Sequence, residues 1–352
     1  MSPTYLAARY EGGGVIAATP LEGGAPPPGH VHVAPAYTGI CGTDLHVVHG
    51  DMDARVHPPA VIGHETAGHV VAVGEGVEGW QPGDAVTVVP LHADGTCPAC
   101  LAGHGHVCQH LTFLGVDSPG ALAERWEVPA DTLLRLPADL PMRTAALLEP
   151  TAVAVHDVHR ARVVAGEAVV VVGGGPVGLL VALVARERGA HVLVVEPDEA
   201  RRRTAAGLGL DAVPADDDAV AEEVRRRTGE AGAAVAFEVS GTQPGLDTAV
   251  AVLAVRGRLC QVGIHPRPRT LDLHRVFWRE LELLGARLYT REDWAEAVAL
   301  VHDGRLPVAD LVSDVVPLAE VATAFERLAA GGAVKVLVDC RPGSSVDERD
   351  QR

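Results

Sequence analysis

The sequence predicts an α/β protein of two parts, a doubly wound parallel sheet and a smaller β-rich domain, and three observations lead there. The chain of 352 residues is too long for one ordinary core and suits two domains. From about residue 6 to residue 90, short β-prone runs alternate with Gly/Pro turns. Around residue 145 the pattern changes to apolar strands alternating with helical stretches, the rhythm of βαβ units.

In the first part, residues 31–34, 67–73 and 85–89 are the clearest strands. Turns at Pro26-Pro27-Pro28-Gly29 and Gln81-Pro82-Gly83-Asp84 bound them, and the spacing suggests a small barrel-like domain. Residues 91–120 carry Cys, His, Gly and Pro without periodicity, so they form a lobe that needs a staple if it is to be ordered. Residues 152–162 read as a helix. Strand 168–172, helix 176–188, strand 191–196, helix 198–207 and strands near 233–237, 257–262 and 281–284 then follow. After Tyr289 come helices over 294–302 and 318–328 and a strand over 334–338, which we assign back to the first domain. The expected division is therefore 1–152 with 289–340, including a lobe at 91–112, against 153–288, with a flexible polar tail at 341–352. It places an active site in the cleft between the domains.

Composition narrows the partners. Hydrophobic residues at 47% and charged residues at 21% are those of a soluble globular protein. A net charge of -17 argues against a nucleic-acid or membrane-surface partner, both of which need a basic face. Lys335 is the only lysine, which, with the excess of Ala, Gly and Val, reads as the imprint of a GC-rich genome. The first ten residues carry no secretory pattern and no apolar run is long enough to span a bilayer, so a cytoplasmic protein is expected. Three of the six cysteines, Cys97, Cys100 and Cys108, crowd one loop, which in a reducing compartment points to metal rather than disulfides.

Gly173-Gly174-Gly175-Pro176-Val177-Gly178 matches Gly-x-Gly-x-x-Gly, with a Val-rich strand before it and an apolar helix opening at Pro176 and Val177. Gly173 suits the tight turn, Gly175 the approach of a pyrophosphate, and Gly178 close helix packing, while the helix N-terminus offers free N–H groups. Glu196 ends the next strand, where a carboxylate accepts the ribose hydroxyls of NAD and repels the 2′-phosphate of NADP. Arg201, with Arg202 and Arg203 beside it, is the one feature that speaks for NADP.

A thiol, an imidazole and a carboxylate from Cys41, His64 and Glu65 make a competent N/O/S zinc site if folding brings them together. His64-Glu65 is not a protease helix motif: the next histidine, His69, is five residues on, and Gly68 and a β-branched run follow.

Gly39-Ile40-Cys41-Gly42-Thr43-Asp44-Leu45-His46, then Gly63-His64-Glu65-x-x-Gly68, then Leu148-Glu149-Pro150 before the glycine-rich turn, resembles the zinc-dependent medium-chain dehydrogenases. The polyol branch, which includes sorbitol, 2,3-butanediol and threonine dehydrogenases, is the most similar. The resemblance implies a GroES-like catalytic domain beside a Rossmann domain. It further implies a catalytic zinc on Cys41, His64 and Glu65, with Glu149 as a fourth ligand, direct or through water. Thr43 and His46 would relay the proton, and Asp44 would orient a neighbour. The family's structural zinc lobe has four cysteines, and here Asp94 stands in the first position, before Cys97, Cys100 and Cys108. Asp94 with three thiolates is the leading reading; His104, His106 or His110 as the fourth ligand, or a metal-free lobe, are the alternatives. The implied activity is oxidation of a secondary alcohol of a polyol, sugar, cyclitol or amino alcohol by NAD, with a small-molecule substrate and a homodimeric or homotetrameric assembly. Threonine 3-dehydrogenase and aldose 1-dehydrogenase are alternatives, and a non-catalytic nucleotide-binding relative is disfavoured by the retained zinc ligands.

Overall fold

The computed structural model describes residues 4–344. Its contacts divide the chain into two compact units, one running to Glu149 and resuming at Val312, the other Pro150–Leu311.

The first unit is built from β1 (Thr4–Gly12), β2 (Val15–Glu22), β3 (His30–Gly39), α1 (Gly42–Val48), β4 (Ala60–Val61), β5 (Glu65–Val73) and β6 (Ala85–Val88). Next come β7 (Leu91–His92), α2 (Pro98–Leu101), β8 (Thr112–Phe113), β9 (Trp126–Pro129), β10 (Leu133–Arg135) and α3 (Met142–Ala145). The strand β3 is its centre and pairs antiparallel with both β5 and β9. Val31 and Val33 of β3 pack with Val70, Val86, Val88, Trp126, Val128 and Leu133 into one core. Their alternation along each strand is the period of two that turns one sheet face inward. Gly68 is fixed by this pairing: a Cβ there would stand 2.1 Å from the Ala34 carbonyl oxygen, next to the register shift in β3.

The second unit opens within α4 (Leu148–Arg160) and alternates strand with helix: β11 (Ala168–Val172), α5 (Pro176–Glu187), β12 (His191–Val195), α6 (Glu199–Gly207), β13 (Asp211–Val213) and α7 (Asp217–Thr228). It continues with β14 (Ala233–Glu238), α8 (Gln243–Ala251), β15 (Leu253–Gln261), α9 (Leu273–Trp278), β16 (Glu282–Gly285) and α10 (Arg291–His302). Its six strands are all parallel, in the order β13-β12-β11-β14-β15-β16. Val170, Val172, Leu193, Val195, Ala236 and Leu259 are buried in one cluster, so the inner strands are nearly continuous apolar runs, as expected of a parallel sheet with both faces covered. Asp198, Asp216, Thr242 and Thr290 each start a helix by accepting the N–H three residues on.

The chain then returns to the first unit through β17 (Val312–Pro317), α11 (Val321–Ala329) and β18 (Lys335–Asp339). The strand β18 pairs antiparallel with β3. The return thus falls at Val312, not after residue 288 as expected from the sequence. The reason is α10, which buries Trp294, Ala297 and Leu300 and holds Asp293 against His156 and His159 of α4 at 2.8 and 2.6 Å. Likewise, α4 itself is divided at Glu149 and Pro150 rather than at 152. The short edge strand β13 was not anticipated. Arg341 to Ser344, expected to fray, is tied back by Arg341 bonds to Asp339 and Tyr37, and the remainder of the expected tail lies outside the described residues.

Candidate functional site

Three strands and one loop assemble the metal-ligand group in the first unit. Gly39, the last residue of β3, pairs with Glu65 at the start of β5 on one side and with Leu337 of β18 on the other. Cys41 lies two residues past the end of β3 and immediately before α1, and His64 precedes Glu65. The ligand atoms of Cys41, His64 and Glu65 all lie within 4.8 Å of one another. His64 and Glu65 are buried, and Phe113 packs on the imidazole with ring centroids 4.8 Å apart. Asp44 is fully buried beside them. It accepts the Cys41 N–H at 2.9 Å, and its other oxygen stands 3.7 Å from His64 Nδ1, without a hydrogen bond among the described residues. A carboxylate beside the ring is the usual neighbour of a metal-binding histidine.

The charge in this pocket suits a dication. Burial alone would lower the pKa of His64, but Asp44, a hydrogen bond with Cys41 and the charge of Glu149 lift it to about 10. Burial raises the pKa of Asp44, with a further push from Glu65, while His64, the Cys41 N–H and Lys335 pull the other way. A thiol, an imidazole and a carboxylate at mutual ligand distance, in surroundings that attract positive charge, fit zinc. Glu149 is buried but lies outside the three-residue group, close enough to act on His64 and Lys335 through its charge.

Sequence reasoning overlooked Lys335. It read the sole lysine as a matter of composition, yet β18 carries its side chain, 1% exposed, into this pocket. The ammonium donates to the Ile40 carbonyl at 3.0 Å and lies against Glu65 Oε2. Burial disfavours its charge, but Glu65 and Cys41 more than compensate, so its pKa is raised. The glycine at 39 makes room for this pair: a Cβ there would meet Glu65 Oε2 at 2.3 Å and Lys335 Cε at 3.0 Å. A lysine among Val334, Val336 and Val338 was the available signal.

Thr43 and His46 lie three residues apart on α1, on one face and partly exposed. His46 Nδ1 donates to Asp51 at 3.0 Å, which leaves Nε2 as the proton acceptor.

In the lobe, Asp94, Cys97, Cys100 and Cys108 form a second group with ligand atoms within 4.8 Å. None of the three neighbouring histidines belongs to it; His110 instead contacts Asp94 at 2.5 Å. Backbone N–H groups point at the sulfurs, from Gln109 to Cys97 at 3.4 Å and from His110 to Cys108 at 3.3 Å. The N–H of Cys97 leads the donors that hold the Asp94 carboxyl well below the usual carboxylate range. The N–H of Gln109 lowers Cys97, whereas burial and its neighbours push Cys100 up to about 12. One carboxylate and three sulfurs crowded in this way also fit zinc.

The glycine-rich turn lies in the second unit, after β11. Gly173 has φ +111°, and a Cβ on Gly178 would come 1.9 Å from the Gly173 carbonyl oxygen. A Cβ on Gly175 would meet nothing within 4 Å, leaving open space before the N-terminus of α5, which Pro176 and Val177 begin. The open turn ahead of a helix N-terminus has the room and the free N–H groups that a pyrophosphate needs. Glu196, just past β12, accepts N–H groups from Gly174 at 2.6 Å and Asp198 at 2.8 Å. Arg202 donates to the Glu196 and Pro197 carbonyls and Arg203 pairs with Glu199, whereas Arg201 Nε is buried without a hydrogen-bond partner among the described residues.

Removing the ammonium with Lys335→Met leaves Glu65 buried beside Cys41 without its cation, a loss of about 3–5 kcal/mol for breaking a buried pair. The expected outcome is a fall in the melting temperature of the metal-stripped protein that added zinc largely reverses; equal melting of stripped variant and stripped wild type would contradict it.

Residues 27–138 match the alcohol dehydrogenase GroES-like domain family and residues 176–303 the zinc-binding dehydrogenase family. A 2-dehydro-3-deoxy-L-galactonate 5-dehydrogenase from Pseudoalteromonas atlantica is 46% identical over 317 residues, covering 90% of this chain and 93% of that protein. A sorbitol dehydrogenase from Halalkalibacterium halodurans is 32% identical, with 89% and 93% covered. Among solved structures, a zinc-binding dehydrogenase from Sinorhizobium meliloti bound to NADP superposes with a TM-score of 0.89 at 30% identity, over 96% of this chain and all of that one. The β-rich unit is a GroES-like domain and the parallel-sheet unit a Rossmann domain. The chain belongs to the zinc-dependent medium-chain alcohol and polyol dehydrogenases, oxidoreductases that use a nicotinamide cofactor to oxidise a secondary alcohol.

Proposed function

We propose that this dehydrogenase acts with NAD on a secondary alcohol of a polyhydroxylated substrate, a sugar acid being the first candidate. The observation that carries the catalytic reading is the convergence of Cys41, His64 and Glu65 in a pocket that attracts positive charge. The sugar-acid candidate rests on the relative at 46% identity. Zinc bound there supplies Lewis acidity toward the alcohol, and NAD accepts the hydride.

The chain's own residues do the rest. Cys41, His64 and Glu65 hold the metal, with Glu149 near enough to serve as an exchangeable fourth ligand. Asp44 orients His64, and Lys335 engages one Glu65 oxygen so that the other faces the ligand group. Thr43 receives the alcohol proton, and His46, one turn further along α1 and partly exposed, takes it at Nε2 and gives it to solvent. Asp94, Cys97, Cys100 and Cys108 hold a structural zinc. Glu196 favours NAD through its charge at the end of β12, and Arg201 is the group a 2′-phosphate would engage.

A panel of sugar acids, polyols, cyclitols and amino alcohols, including L-threonine and aldoses, assayed with NAD and NADP, tests this reading. Turnover of a polyol or sugar acid with NAD is expected. Glu196→Ala should shrink the NAD preference by about tenfold or more, the worth of one charge-assisted hydrogen bond. Turnover confined to threonine or to C1 of aldoses would replace the substrate assignment. Asp94→Ala is expected to lose one zinc equivalent by metal analysis while keeping the zinc at Cys41; unchanged zinc content would remove Asp94 from the ligands.

We also propose a cytoplasmic homo-oligomer. All six cysteines are free, and no described helix is long and apolar enough to cross a membrane. The edge strand β16 exposes Leu283, and the neighbouring α9 exposes Phe277 and Trp278 at 73% and 67%. Apolar residues at an unpaired sheet edge suit pairing with a second copy. Sedimentation at micromolar concentration should give a dimer or tetramer that Leu283→Asp weakens; a wild-type monomer would refute it.

A further inference from the structure

Glu238, the last residue of β14, is fully buried and accepts from four donors. Ser240 Oγ and the Gly241 N–H reach Oε1 at 2.5 and 2.9 Å, and Gln261 Nε2 and His265 Nε2 reach Oε2 at 2.6 and 3.0 Å. Arg269 Nε donates to His265 Nδ1 at 3.2 Å. An arginine N–H cannot accept, so Nδ1 is the acceptor and the ring proton sits on Nε2, facing the carboxylate. Arg269, His265 and Glu238 thus form a directed chain that fastens the long loop after β15 to the end of β14. The packing beneath leaves no room for side chains: a Cβ on Gly263 would lie 2.6 Å from the Gly241 nitrogen, and one on Gly241 2.7 Å from the Ile264 carbonyl oxygen. A Cβ on Gly173, in the cofactor turn, would lie 3.0 Å from the Ser240 nitrogen.

The position gives this chain its meaning. Strand order reverses between β11 and β14, and ligands of doubly wound sheets bind in the crevice beyond the strand ends at that switch. Such a sheet has two mononucleotide-binding halves. The glycine turn and Glu196 belong to the half formed by β11, β12 and β13, so β14 and β15 carry the other nucleotide. The fastened loop stands at that second half, with Ser240 and Ile264 exposed above the clamp.

We infer that His265, locked between Glu238 and Arg269, is a positioning residue for the nicotinamide half of the cofactor: it holds the Gly263-Ile264 backbone against the switch-point crevice. The inference rests on the nicotinamide cofactor assigned above. The test measures binding of NADH, and of ADP-ribose, which lacks the nicotinamide, to full-length variants. His265→Ala is expected to raise the NADH dissociation constant about tenfold, the worth of one lost charge-assisted hydrogen bond, with ADP-ribose affinity unchanged. His265→Gln, whose amide can still donate to Glu238, should restore NADH binding. Arg269→Ala alters an exposed residue and should show the same one-sided loss, a few-fold in size. Equal losses for both ligands would mean that the network merely supports the domain, and unchanged NADH affinity in His265→Ala or Arg269→Ala would mean that it positions nothing; either overturns the inference. Wild-type protein that binds neither ligand would instead overturn the cofactor reading, and this inference with it.

Discussion

Charge balance away from water governs the catalytic unit. Asp44, Glu65 and Glu149, together with the thiol of Cys41, converge where burial makes an uncompensated charge costly. The protein answers with His64 and the ammonium of Lys335, and the residual attraction for positive charge is what a dication satisfies. The fold supplies the geometry: β3, β5 and β18 come from distant parts of the sequence and meet at Gly39, the only residue type that leaves space for the Glu65–Lys335 contact. The chain completes this charge balance only after its excursion through the Rossmann unit, when β18 brings the ammonium.

The Rossmann unit solves a related problem with neutral donors. Glu196 and Glu238 both sit at strand ends, both are buried, and neither is hydrogen-bonded to a lysine or arginine side chain among the contacts described above. Two backbone N–H groups hold Glu196, and a hydroxyl, an amide side chain, an imidazole and a backbone N–H hold Glu238. Neutral donors fix both carboxyl groups in place without setting a cation against either of them, as a paired arginine would. Around them, glycine appears for two opposite reasons. Gly175 faces open space, and Gly178, Gly241 and Gly263 face backbone.

Much of this was legible in the sequence because it is local. The glycine turn, the strand before it and the carboxylate after the next strand lie within about thirty residues, and so do Cys41, His64 and Glu65. The family likeness followed from those short stretches and agrees with the family matches. What escaped was long-range. The boundary after 288 was misplaced because Asp293 finds His156 and His159 more than a hundred residues away, and nothing near Trp294 announces them. The same holds for His265, which reads as an ordinary loop histidine until Glu238 is seen beneath it. Lys335 was visible but was weighed as composition, since its partner Glu65 is 270 residues earlier (335 − 65).

The solitary lysine has a practical corollary for anyone handling this protein. With Lys335 enclosed at 1% exposure, no ε-amine is accessible on the folded surface. Amine-directed reagents, whether acylating dyes, aldehyde cross-linkers or activated-ester resins, therefore find no exposed lysine among these 352 residues, and the pocket that encloses Lys335 is shielded from them. Conversely, the appearance of a reactive ε-amine would report that the pocket around Glu65 has opened.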